Sequence, residues 1–68
     1  MYFSEDELLL ITKVRAFHHL LAGGLLSGKF GTIEAIRRKD EISIIRNRLG
    51  ITKKQQTSLL NRATLSGI

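Results

Sequence analysis

Two short stretches of this chain, Ser4-Glu5-Asp6-Glu7 and Thr52-Lys53-Lys54-Gln55, carry the same pattern, and it commits the chain to a helix near each end. In each, the first hydroxyl caps a helix while the Glu or Gln three residues on reaches back to the capping residue's amide. Amides that the helix leaves without partners are thereby satisfied. Phe3 before the first cap and Leu8 four residues after it add a hydrophobic staple. The 68 residues contain no proline, and few stretches place β-branched residues at period two, so helix is the expectation in between as well.

The first helix is expected from residue 4 to 22. Leu10, Val14, Phe17 and Leu21 recur at i, i+4, i+7 and i+11, one stripe for the core, and Gly23-Gly24 ends it. Leu8, Leu9 and Leu20 fall off that stripe and Ile11 lies at its margin. This surplus predicts a second contact, a protein interface made of Leu8, Leu9, Ile11 and Leu20. His18 and His19 read as ordinary boundary and surface residues, since adjacent helical positions point about 100° apart and cannot close on one metal. "GGLLSGKFGT" matches neither GxxxxGK[ST] nor GxGxxG and reads as a flexible connection.

Thr32 is expected to cap a helix over 32 to 39 bearing Ile33 and Ile36. Ile42, Ile45 and Leu49 then lie well over 100° around from Ile36, which predicts a bend or break at Arg37-Arg38-Lys39-Asp40, with Asp40 as a new cap for a helix over 41 to 49. Gly50 closes that helix. A last helix over 53 to 65 has Leu59, Leu60 and Ala63 on its apolar side.

A chain of this length buries a thin core, and it contains no Cys that could form a disulfide. Oligomerisation is the remaining source of stability, and a homodimer is expected. The absence of Cys fits a reducing compartment. An acidic N-terminus is no secretory signal, and the longest uncharged run, 13 residues from Ala16 to Gly28, is too short for a membrane span. A cytoplasmic protein without membrane contact is expected. The net charge is +5, but residues 12 to 68 hold all 11 bases and only three acids. Such a surface attracts nucleic acid, anionic lipid or an acidic protein.

Residues 40 to 63 form a helix, a turn with Gly50 and a second helix, and this segment resembles the helix-turn-helix of DNA-binding regulators. In such proteins the turn glycine takes a positive φ and flanking apolar residues lock the helices; Ile45, Leu49, Gly50, Ile51 and Leu59 stand at those positions. Two residues depart from the pattern: Arg46, where a small residue is usual, and Gln56, where an apolar one is. In another register, "RLGITKKQQTSLLN" is similar to the first half of a phage-repressor-type domain, whose reading helix would begin about where this sequence stops.

The resemblance implies that the last helix enters the major groove. Lys54, Thr57, Ser58 and Asn61, opposite Leu59 and Ala63, would face base edges. Lys53 and Arg62 would hold phosphates, and a second basic cluster, Arg37-Arg38-Lys39, would either grip backbone phosphates or be a helix C-terminus matched to its dipole. For each of these residues a solvated helix face is the plainer alternative.

The sequence therefore predicts an all-α fold: one domain, residues 1 to 68, a small bundle of three to four short helices with a helix-turn-helix-like C-terminal half. The leading function is a small basic DNA-binding transcription regulator with duplex DNA as partner. The alternative is a helical protein-binding modulator or inhibitor using the apolar face of the first helix. No paired carboxylates, nucleophile with base, or ligand set is present, so neither an enzyme nor a cofactor is expected.

Overall fold

The computed structural model describes residues 2 to 68, and among them the fold is all-α. Three helices follow one another: α1 (Glu5–Ala22), α2 (Gly28–Leu49) and α3 (Lys53–Leu65). Both capping boxes form. The Glu7 amide donates to Ser4 Oγ at 3.2 Å and the Ser4 amide to Glu7 Oε1 at 2.9 Å. In α3 the corresponding pair between Thr52 and Gln55 measures 3.1 and 2.7 Å.

Asp6 with Arg48 (3.1 Å), Lys13 with Glu41 (3.1 Å) and Phe17 with Lys39 (6.0 Å to the ring centroid) tie α1 to α2. The paired residue numbers fall in one helix as they rise in the other, so α1 and α2 are an antiparallel hairpin. α3 lies against the pair. The core forms where all three overlap, from Phe3, Leu10, Ile11, Val14, Phe17, Ile42, Ile45, Leu59 and Ala63.

The structure corrects the expected bend at Arg37 to Asp40. α2 runs unbroken from Gly28 to Leu49, so Thr32 and Asp40 are interior residues rather than caps. Arg37 spans Glu34 and Glu41, at i−3 and i+4, and these pairs support a continuous helix. The apparent change of face also has a cause. The inward stripe of α2 is Gly31, Ala35, Arg38, Ile42, Ile45 and Leu49; it begins with two small residues and an arginine, while Ile33 and Ile36 stand exposed on the other side.

The glycine-rich connection shrinks to residues 23–27. Gly31, expected to be part of a flexible link, is a buried contact point. A Cβ there would lie 2.3 Å from the Leu26 carbonyl carbon, so the loop can fold back onto α2 only over a glycine.

Two expectations for α1 are also corrected. Ile11 is 2% exposed and belongs to the core, while Leu21, expected to face the core, is 49% exposed. Leu21 is one residue from the end of α1, a turn beyond Phe17, the last residue that this helix buries. Ile11 is therefore not available to the interface proposed for the first helix; Leu8 and Leu9 are exposed and Leu20 is half-buried.

Candidate nucleic-acid interface

Gly50 turns the chain from α2 into α3 in the left-handed conformation, φ 65° and ψ 30°, with the Gly50 amide closing onto the Asn47 carbonyl at 3.1 Å and that of Ile51 onto Arg46 at 3.3 Å. Three residues, 50–52, separate the helices. α3 then buries Gln56, Leu59 and Ala63. Its opposite side is fixed by helical periodicity, and Lys54, Thr57, Ser58 and Asn61 all stand exposed there. The Thr57 hydroxyl donates to the Lys53 carbonyl at 3.3 Å, leaving its oxygen free to accept.

Lys53 and Arg62 flank this face. Arg62 sits 6.0 Å from the centroid of the Phe3 ring, which holds the guanidinium beside α1. Lys53 borders a cavity of about 390 Å³ between the helices, lined also by His18, Lys39, Arg46 and Gln56. In the sequence Lys39 stands out only with the Arg37-Arg38 cluster and Arg46 only as a departure from the turn pattern, neither as lining this cavity. Their spacing of seven puts them on one side of α2, which was the available signal.

Arg37 and Arg38 are placed differently. Arg37 donates to both Glu34 and Glu41, and Arg38 Nε lies 3.0 Å from Glu34 Oε1 as an ion pair, off the line needed for a hydrogen bond. Arg37 is also twelve residues, about 18 Å, along α2 from its C-terminal end. The structure thus keeps these two arginines in a carboxylate network, apart from the α3 face. The same network acts on its acids: hydrogen bonding from Arg37 holds Glu34 below the ordinary carboxylate value, and hydrogen bonding from Lys13 does so for Glu41, each partly opposed by desolvation.

Residues 42 to 68 contain five bases, Arg46, Arg48, Lys53, Lys54 and Arg62, and no acid. Arg48 is paired with Asp6, and Arg46 with the Gln56 amide. Lys53, Lys54 and Arg62 have no carboxylate partner among the described residues. No protein-family model, curated protein or solved structure matches this chain. No helix is long and apolar enough to cross a membrane among the described residues.

Proposed function

We propose that this is a small DNA-binding regulator of helix-turn-helix type, with α3 as the helix that enters the major groove. The observation that carries the reading is the outward side of α3: Lys54, Thr57, Ser58 and Asn61 exposed together, flanked by Lys53 and Arg62, on a segment without a single acid. A helix presenting amide, hydroxyl and ammonium groups in one row matches the donors and acceptors of base edges. The cations at its margins match the phosphates on either side of the groove. The turn at Gly50 supports the same reading, because its positive φ is the conformation on which such a motif depends.

Titration of the full chain with duplex DNA at several salt concentrations tests it. Binding that weakens steeply as salt rises supports the proposal; no binding to any duplex at low salt overturns it. In that event the exposed Leu8 and Leu9 favour the second reading, a modulator that docks α1 on another protein.

A further inference from the structure

The outer side of α2 carries apolar residues that nothing in the fold covers: Phe30 is 86% exposed, Ile33 57% and Ile44 58%. They do not lie at random. With Arg37, Asp40 and Asn47 they form one stripe, residues 30, 33, 37, 40, 44 and 47, in the alternating three and four spacing of a helix–helix seam. The protein is also drawn out for its size. Its radius of gyration is 12.6 Å, against about 11 Å for a compact chain of this length, and α2 is its longest helix.

The spacing of the stripe reads the same from both ends. Laid antiparallel on a second copy of itself, with the two-fold between residues 38 and 39, it sets Phe30 against the partner's Asn47, Ile33 against the partner's Ile44, and Arg37 against the partner's Asp40. Both central charges then meet their opposite. In a parallel pair each Arg37 would face the other, and each Asp40 likewise, so charge selects the antiparallel arrangement. Asp40 has no hydrogen bond or ion pair among the described residues. Arg37 uses three of its five N–H groups on Glu34 and Glu41, which orients the guanidinium and leaves two donors. We propose that α2 is a dimerisation helix that pairs antiparallel with α2 of a second copy through Ile33, Arg37, Asp40 and Ile44.

This surface is distinct from the α1 leucines, and pairing through it needs no DNA. It has one consequence for the DNA reading, which rests on that reading: the two Leu49 ends come to lie about 32 Å apart along the seam, close to the 34–36 Å between half-sites one turn apart.

Sedimentation of the full chain from about 5 to 500 µM reads the dimer directly. Dimer is expected within that range, and Asp40→Arg, which removes no hydrogen bond or ion pair within the fold, is expected to raise the dissociation constant at least tenfold with the helical circular dichroism unchanged. The orientation is read with cysteines, since the chain contains none. Ile33→Cys and Ile44→Cys chains mixed under mild oxidation should form the mixed disulfide dimer well ahead of either homodimer. A monomer throughout, an Asp40→Arg chain that dimerises as well as the parent, or rapid disulfide formation between two Ile33→Cys chains would each overturn the proposal. Since no readout uses DNA, failure here and failure of duplex binding are separate results.

Discussion

Arg46 Nη1 donates to Gln56 Oε1 at 2.9 Å, joining α2 to α3 from the two positions at which this chain departs from a helix-turn-helix pattern. Where that pattern sets a small residue against an apolar one, this chain has a hydrogen-bonded pair, and Gln56 is 8% exposed, so its amide oxygen finds its donor within the protein. Arg46→Ala should therefore cost about 1–3 kcal/mol, the expense of a buried amide oxygen left without its donor. Arg46→Ala with Gln56→Leu should recover most of that loss. Chemical denaturation of the two single variants and the double variant measures the coupling, and simple additivity would refute the pairing as an energetic unit.

The same comparison shows what was legible in the sequence. Both capping boxes and the Gly50 turn are local: the residues that make the hydrogen bonds are three apart, so the pattern determines the geometry. The outward side of α3 was equally readable, because Leu59 and Ala63 fix its opposite by periodicity. What failed depended on distant neighbours. Gly31 and Ala35 face inward because α1 and the Leu26 backbone come close, which no apolar count along α2 reveals. Ile11 is buried and Leu21 exposed for a related reason: the part of α1 that the other helices bury runs from Leu10 to Phe17 and stops short of Leu21. Arg46 and Gln56 looked like defects separately, since their compensation requires knowing that they touch.

Gly31 and Gly50 should respond to alanine for different reasons. At Gly50 the space is open but φ is +65°, so Gly50→Ala should cost roughly 1–2 kcal/mol from backbone strain alone. At Gly31 the backbone is helical and alanine would ordinarily help by about 1 kcal/mol. The added methyl instead meets the Leu26 carbonyl, and net destabilisation with a rearranged 23–27 connection is expected. Thermal unfolding ranks the variants. An unchanged or more stable Gly31→Ala chain would refute the close approach.

Acidification should loosen the α1–α2 hairpin. Glu34 and Glu41 have folded pKa values below their ordinary 4.5, held there first by hydrogen bonds from Arg37 and Lys13 respectively. A carboxylate lowered in this way stabilises the fold above its unfolded pKa, and the contribution is lost as pH falls through the folded value. Both side chains are half-buried and still reached by solvent, so the effect is modest and sensitive to salt. The melting temperature in low salt should fall between pH 6 and pH 3, less steeply in Glu41→Gln, whose neutral amide does not titrate. An equally steep fall in that variant would assign the acid sensitivity to other groups.

Lys54 and Asn61 share the outward side of α3, yet the proposed mode of DNA binding requires them to fail in different ways. An ammonium against phosphate releases a counterion, so Lys54→Ala should weaken binding to all duplexes alike and reduce the slope of log affinity against log salt by about one. Asn61 carries no charge. As a base-edge contact it would leave the slope nearly unchanged while lowering discrimination between preferred and mutated sites by roughly 1–3 kcal/mol. Arg37→Ala, compared at concentrations where it and the parent chain have the same oligomeric state, supplies the control, because its charge is already engaged by Glu34 and Glu41 and should contribute little to the slope. Titrations of the four chains against a selected duplex and a scrambled one, each at several salt concentrations, separate these effects. If Lys54→Ala and Arg37→Ala shift the slope equally, binding is a diffuse attraction to a basic protein and α3 does not lie in the groove. If Asn61→Ala weakens both duplexes alike, α3 holds the backbone without reading the bases.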